Sequence, residues 1–152
     1  MWNRHGERLS ITDEYAAVLK KLRASPFEWL DCEGLDNRRH RLAPRSLIVL
    51  DWVKSGLDYL ERRAALRQSG WAAYAHDAMP DTADEVFITP SYQFANRDSL
   101  LRFWAALKQM NQVAGCEFYE GVVCKWLTSH YPIQLRSPDE KCPEWIKHRW
   151  RF

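Results

Sequence analysis

Apolar side chains follow a helical period near the start of the chain. They occupy positions i, i+3, i+4 and i+7 of one face: Tyr15, Val18, Leu19 and Leu22. Spacing of this kind is typical of an amphipathic helix that turns one face toward a core. Thr12 can cap this helix, and the helix is expected to end before Ser25-Pro26.

Two further segments predict helices. Residues 57–68 are helical in composition and stop at Ser69-Gly70. The longest helical pattern follows Asp98, a residue that can cap it, and Gly115 closes it. Its apolar side is formed by Leu100, Trp104, Leu107 and Met110.

Five short apolar runs, rich in β-branched and aromatic residues, predict strands. They are 27–32, 46–53, 85–89, 118–125 and 145–150. Pro90 ends the third run because proline has no backbone N–H to donate to a sheet. Exposed loops are expected over the basic stretch 36–45 and over 129–143, which is rich in polar residues and proline.

The order of these elements favours an α+β fold. Helices and strands alternate too irregularly for a doubly wound sheet, so we expect antiparallel sheets flanked by helices. With 152 residues, 46% of them apolar and 28% charged, the chain suits one domain with its own core and leaves no room for a second large one. The predicted organisation is a single domain over 1–152.

Composition narrows the classes of protein. No stretch approaches the ~20 consecutive apolar residues of a membrane helix, and no apolar run follows Arg4 and Arg8 to make a signal peptide. The four cysteines contain no C-x-x-C pair, so their spacing indicates neither a zinc site nor a disulfide framework. We expect a cytoplasmic protein with reduced cysteines and no membrane partner.

Charge and aromatic content leave the partner open. A formal net charge of +2 is too small to indicate nucleic-acid binding by itself, although basic residues cluster in 38–45 and 147–151. Such clusters are compatible with a phosphate-rich partner. Eight tryptophans are unusual in a chain of this length, and the packing of large rings explains them more readily than base stacking does.

The most specific motif lies toward the end of the chain. Residues 120–125 read E-G-V-V-C-K, a loop with Ser129 and Tyr131 follows, and residues 143–149 read P-E-W-I-K-H-R. This pair resembles the E-G-V-V-x-K and W-(I/L)-K-x-(K/R) motifs that close the nucleotidyltransferase domain of ATP-dependent DNA ligases. That family also includes RNA ligases and capping enzymes.

Shorter segments resemble the same family in the same order. W-N-R-H-G at 2–6 looks like its R-x-G turn, L-D-C-E at 30–33 like its L-D-G-E, and L-I-V-L-D at 47–51 like its apolar strand ending in Phe-Asp. E-R-R-A-A-L at 61–66 resembles its E-R-R-x-x-L helix, and the basic segment 38–42 lies where such ligases often have a basic turn. The likeness therefore runs from Arg4 to Arg149.

The resemblance implies adenylate chemistry, but one essential part is missing. In this family a lysine in K-x-D-G attacks the α-phosphate of ATP, forms a lysyl-adenylate and passes AMP to the 5′-phosphate of a nicked or broken strand. None of the seven lysines stands in K-x-D-G. We expect no catalytic nucleophile and no self-adenylation. The C-terminal oligonucleotide-binding barrel of the family also has no counterpart in this sequence, so a complete ligation cycle is not expected.

The resemblance assigns nucleotide-binding roles to four residues. Lys125 and Lys147 would contact phosphate as compact point charges, Glu33 would accept from the ribose hydroxyls, and Arg4 would contact phosphate or the strand at the nick. Glu120 would hold a Mg²⁺ ion near the α-phosphate of ATP. Taken singly, such residues are more often solvated charges, and only their joint order makes them candidates.

Three positions depart from the family's pattern. Cys32 replaces the glycine of L-D-G-E, Leu50 replaces the ring that stacks on adenine, and His148-Arg149 replaces an apolar-lysine ending. Losing a stacking ring costs about 1 kcal/mol or somewhat more, which corresponds to a roughly tenfold loss of nucleotide affinity. Trp52 is expected to share a side with Leu50 but to lie two residues too far along the strand to replace that ring.

Three interpretations remain open, and the third of them is that the chain is a basic α+β scaffold whose likeness to the family is a coincidence. In the first, the chain is part of a ligase adenylation domain that is truncated at its N-terminus, with ATP, Mg²⁺ and nicked or broken duplex DNA as the partners of the parent family. In the second, it is a non-catalytic remnant that binds nucleotide or nucleic acid, or a half-domain completed by another chain. Exposed strand edges would then favour a homo-oligomer. DNA is preferred to RNA because the closing motifs look closer to those of DNA ligases used in repair.

Overall fold

A computed structural model describes residues 1, 7–10, 13–34, 43–75, 83–115, 118–133 and 142–150. These residues form an α+β fold, as predicted, with three α-helices and six strands. The helices are α1 (Ala16–Arg23), α2 (Tyr59–Arg67) and α3 (Arg97–Ala114). The strands are β1 (Leu30–Gly34), β2 (Leu47–Trp52), β3 (Ala72–Ala73), β4 (Val86–Ile88), β5 (Gly121–Lys125) and β6 (Trp145–Arg149).

The helix ends follow from local hydrogen bonds. Asp58 caps α2, and a reciprocal bond between Glu61 and the Asp58 backbone N–H completes a capping box. The cap of α3 is Asn96, which accepts from the backbone N–H of Ser99, so the prediction of Asp98 as the cap is wrong. Asp98 already lies inside the first turn of α3. Gly115 ends α3 in the left-handed conformation, as predicted. Thr12, the predicted cap of the first helix, lies outside the described residues.

The main sheet has the strand order β1-β2-β4-β3 and is mixed. β1 and β2 pair antiparallel, whereas β4 runs parallel to both β2 and β3. The prediction of antiparallel sheets is therefore wrong for this sheet. Parallel strands need a crossover connection, and the segment that contains α2 supplies one between β2 and β3. The antiparallel prediction holds for the small sheet formed by β5 and β6.

A hydrophobic core lies on each face of the main sheet. One core joins α1 and α2 to alternate positions of β2 and β4: Val18, Leu47, Val49, Leu66, Val86 and Ile88. The other contains Ile48 and Phe87 together with Tyr74 and Phe118. Both faces of β2 are therefore covered, which is why that strand is an almost continuous apolar run.

An irregularity in β2 changes the face of Trp52. Asp31 pairs with Asp51 and Cys32 pairs with Val49, so the register passes over Leu50. Trp52 packs with Leu47 and Val49 in the first core, and Leu50 packs against the second. The prediction that Trp52 and Leu50 share a side is wrong because the extra residue reverses the alternation beyond it.

The small sheet is joined to the rest of the molecule at α2 and α3. The Leu60 N–H donates to the carbonyl oxygen of Leu127, and Asp58 forms an isolated β-bridge with His130. On α3, the Trp104 ring contacts His148 at 4.4 Å between ring centroids. In the part of the chain that the structure describes, no helix is long and apolar enough to cross a membrane.

Candidate functional site

Asp51, at the end of β2, is the centre of a buried polar cluster. Its side chain is fully buried and both carboxylate oxygens are used. Oδ1 accepts from Arg62 Nε at 3.0 Å and from the Trp52 N–H at 2.8 Å. Oδ2 accepts from Arg62 Nη2 at 3.2 Å and from Lys125 Nζ at 2.7 Å. One carboxylate thus ties together β2, α2 and β5.

Arg62 is the second fully buried member of this cluster. Two of its guanidinium nitrogens donate to the Asp51 carboxylate, which is the bidentate arrangement typical of arginine. Its Nη1 donates to the carbonyl oxygens of Leu57 and Ser129, at 2.8 and 3.1 Å. Each group that Arg62 contacts belongs to a different segment, so Arg62 fixes the position of α2 against the loop after β5.

Lys125 is held by an aromatic ring as well as by Asp51. Its Nζ lies 3.7 Å from the centroid of the Trp145 ring and 5.1 Å from that of Tyr59. Trp145 is anchored in turn, because its Nε1 donates to Ser129 Oγ at 3.0 Å. Only 11% of the Lys125 side chain is exposed, and burial lowers the pKa of its ammonium despite the attraction of Asp51. Its charge is therefore largely satisfied inside the protein.

A second carboxylate, Asp31 of β1, lies beside this cluster. Tyr131 donates its hydroxyl to Asp31 Oδ2 at 3.2 Å, and Lys125 and Glu33 both act on Asp31 electrostatically. Burial raises the pKa of Asp31 above its usual range, and burial likewise raises that of Tyr131. The cluster contains two cations and two carboxylates. Its net charge becomes more negative by one when Asp31 loses its proton.

The small sheet presents a row of cations on one of its faces. The two residues of a cross-strand pair lie on the same face of a sheet. In β5 and β6 the pairs are Lys125 with Trp145, Val123 with Lys147, and Gly121 with Arg149. Lys125, Lys147 and Arg149 therefore lie on the same face, in successive steps of two residues. Lys147 is exposed and makes no ion pair with another described residue, whereas Arg149 pairs with Glu120 at 2.8 Å.

Gly121 allows this sheet to form. Its φ of 156° is unfavourable for residues with a side chain, and a Cβ there would run into the carbonyl oxygen of His148. The glycine of E-G-V-V-C-K is thus required by the close approach of β6. The same close contact between β5 and β6 belongs to the strand register that places Lys125 and Lys147 on one face of the sheet.

The structure brings some of the predicted site residues together and leaves others apart. Lys125 and Lys147 share the cation face, and Glu120 directly precedes β5 and pairs with Arg149 on that face. Glu33 lies on β1, two residues from Asp31, and is partly buried. Arg4 lies outside the described residues.

The central residues of the cluster were not predicted as site residues. Asp51 and Arg62 occur within segments used for the resemblance, and Asp31 is a neighbour of Glu33, but sequence patterns alone did not indicate that these charges meet. Fully buried arginines are almost always paired, and α2 contains one in Arg62. An aspartate at the end of an apolar strand is the sequence signal that could have identified Asp51 as its partner.

The positions that depart from the family's pattern have clear local roles. The Cys32 side chain packs against the first core, and burial raises the pKa of its thiol to about 12. Leu50 packs in the second core. His148 lies against Trp104 of α3, on the face of the small sheet opposite the cations.

The predicted metal ligand, Glu120, lies just before β5. Over the described ranges, no three His, Cys, Asp or Glu side chains come together as a metal-binding group. Glu120 is already paired with Arg149. Mg²⁺ usually keeps several waters and is bound through one or two carboxylates together with phosphate oxygens of a ligand.

Comparison with models of known protein families, with curated proteins and with solved structures finds no match for this chain.

Proposed function

We propose that this chain binds the phosphates of a nucleotide, with ATP as the first candidate, on the cation face of the small sheet, and that it does not adenylate itself. The observation that carries the proposal is the pairing of β5 with β6, which aligns Lys125, Lys147 and Arg149 on one face. Adjacent cations on a rigid sheet suit a ligand that carries several negative charges. The resemblance to the adenylation domain of ATP-dependent DNA ligases supports the same ligand.

Lys147 and Lys125 have different parts in this proposal. Lys147 is exposed and can contact a phosphate directly. Lys125 is bonded to Asp51, so its main part is to hold the small sheet against α2, beside the exposed Lys147. Removing one partner of a buried ion pair costs about 3–5 kcal/mol, and Lys125 therefore does not leave Asp51 readily for a ligand.

The proposal excludes covalent transfer by the route of the ligases. The sequence contains no K-x-D-G, and Lys125 is buried beside Asp51 and Trp145. A lysine nucleophile must reach the α-phosphate, whereas Lys125 Nζ is bonded to Asp51 and covered by the Trp145 ring. The role in strand joining and DNA repair that the resemblance suggests would then be that of a binding unit.

Calorimetric titration with Mg·ATP tests this proposal. Wild-type protein should bind, and Lys147→Ala should bind roughly five- to tenfold more weakly because a charge-assisted contact is lost. Lys108→Ala is the matched control, since Lys108 is an exposed lysine of α3. An unchanged affinity in Lys147→Ala, or no binding by the wild type, would refute the cation face as the site.

Incubation with α-labelled ATP and Mg²⁺ tests the absence of self-adenylation. After denaturing gel electrophoresis the protein should carry no acid-labile label. A labelled wild-type band that persists in Lys147→Ala would make another lysine the nucleophile and would overturn this part of the proposal.

A second candidate function is that of a half-domain completed by another chain. β5 and β6 pair only with each other among the described strands, and apolar side chains near them are exposed: Val123 by 49%, Trp126 by 63% and Ile146 by 60%. Open strand edges beside exposed apolar residues favour strand addition. Sedimentation of the purified chain tests this: a monomer at all concentrations argues against a homo-oligomer.

A further inference from the structure

Two arginines of α2 reach the same segment after β4. Arg63 and Arg67 are one helical turn apart and therefore share a face of the helix. Arg63 donates from Nη2 to the carbonyl oxygen of Thr89, and Arg67 donates from Nη2 to Ser91 Oγ at 2.9 Å. The two guanidinium groups thus converge on residues 89–91.

Neither arginine forms an ion pair with another described residue. Arg63 is only 4% exposed, and its Nε has no hydrogen-bond partner in the described part of the chain. Burial lowers the pKa of its guanidinium, and the Arg67 charge adds to that effect. Asp51 attracts Arg63 from a distance but is already bonded to Arg62 and Lys125. Among the described residues, the charges of Arg63 and Arg67 are therefore not paired with a carboxylate at this corner.

An aromatic surface directly adjoins this positive corner. Ser91 is followed by Tyr92, and the rings of Tyr92 and Phe94 pack on Phe103 of α3 at centroid distances of 4.5 and 5.1 Å. Tyr92 is nevertheless 53% exposed and Phe94 36% exposed. Packing on α3 holds the rings in place while part of each remains open to solvent.

We propose that Arg67, Ser91 and the Tyr92–Phe94 surface bind single-stranded nucleic acid. Arg67 would bind a backbone phosphate, and Ser91, which accepts from Arg67, would help to position its guanidinium. Arg63 would add the charge of a buried guanidinium one helical turn away, and a base would stack on Tyr92. Cations beside exposed rings are the combination by which proteins bind single strands without reading base edges. This surface contains none of the residues of the cation face, so it goes beyond nucleotide binding at that face.

Fluorescence anisotropy with a short labelled oligothymidylate tests the proposal. Tyr92→Ala should weaken binding roughly tenfold, since stacking on one ring is lost. Arg67→Ala should weaken it about fivefold and lower the salt dependence by about one phosphate contact. Tyr92→Phe and Arg67→Lys, which keep the ring and the charge, should bind within about twofold of the wild type.

The controls separate this surface from general charge and hydrophobicity. Trp29→Ala removes a ring that is 60% exposed but lies elsewhere on the chain, and Lys108→Ala removes an exposed cation of α3. Both should bind the oligonucleotide as the wild type does. Thermal unfolding of every variant confirms that the fold is retained.

Several results would overturn the proposal. They are wild-type protein that does not bind the oligothymidylate, tighter binding of a duplex of equal length, or Tyr92→Ala that binds as the wild type does. If inorganic phosphate inhibits oligonucleotide binding and Tyr92→Ala does not weaken it, the surface is only a simple anion site. ATP titration of the same variants should be unchanged, so failure here and failure at Lys147 are distinguishable.

Discussion

At the residue scale, Asp51 is more important for the structure than any residue that the sequence analysis named as a site residue. It is fully buried, and it forms ion pairs with both Arg62 and Lys125. Buried ions are stable only when they are paired and hydrogen-bonded. The position of β5 relative to β2 therefore depends on this carboxylate.

Asp51→Asn should lower the free energy of unfolding by about 3–5 kcal/mol, because two cations then lose their counter-ion. Denaturant unfolding followed by tryptophan fluorescence measures the change. Asp84→Asn is the matched control, since Asp84 also pairs with an arginine, Arg45, but near the surface. The control should stay close to the wild type, and an Asp51→Asn protein as stable as the wild type would contradict the role given to the cluster.

Asp31 predicts a specific pH dependence. Its pKa is raised in the fold by burial from the ordinary value of 3.8, so the folded state holds a proton that the unfolded state releases. Its contribution to stability is complete below 3.8 and is lost as the pH rises through the raised folded value. Relative to Asp31→Asn, the wild type should therefore become less stable as the pH rises from about 4 to 7. Unfolding curves at several pH values measure this, and a difference that does not change with pH would contradict it.

Sequence motifs identified the cation residues but not the environment of each one. The resemblance implied that Lys125 and Lys147 contact phosphate, which stays a prediction, and the strand register puts the two lysines on one face. Their different burial depends on Asp51 and Trp145, which belong to other segments. Local patterns do not record such long-range contacts, so the different environments of the two lysines are visible only in the fold.

At the element scale, the N-terminal cap of α3 lies two residues before the residue that the sequence analysis predicted. Asn96 and Asp98 are both residues that cap helices, but only Asn96 accepts from the Ser99 N–H. Asn96→Ala should cost about 1 kcal/mol of stability, whereas Asp98→Ala should cost only a few tenths through the helix dipole. Denaturant unfolding of the two variants measures this, and the reverse order of effects would contradict the observed cap.

Helices and long strands were predictable because their apolar patterns are long enough to show a period. α2 and β4 lie within the predicted segments, and Gly115 closes α3. β3 was not predicted, since two alanines have no period and little strand preference. The parallel pairings of β4 with β2 and with β3 join strands that are far apart in the sequence, so local patterns do not show them and the antiparallel prediction fails for the main sheet.

At the scale of the whole molecule, a buried charge cluster joins the two sheets that the described residues form. α1 and α2 cover one face of the main sheet, and α2 also contacts the loop after β5 through Arg62. This connection supports a small sheet of two strands, which would be only marginally stable by itself. The cation face belongs to that sheet, so the phosphate binding proposed for it would depend on the cluster behind it.

Hydrogen–deuterium exchange with and without Mg·ATP tests the central claim most directly. The claim is that nucleotide phosphates bind the face formed by β5 and β6. ATP should slow amide exchange in peptides that cover 121–125 and 145–149, and this protection should disappear in Lys147→Ala. The claim would be contradicted by unchanged exchange in the small sheet, or by protection confined to the aromatic cleft that Phe27, Trp52 and Trp71 line beside α1.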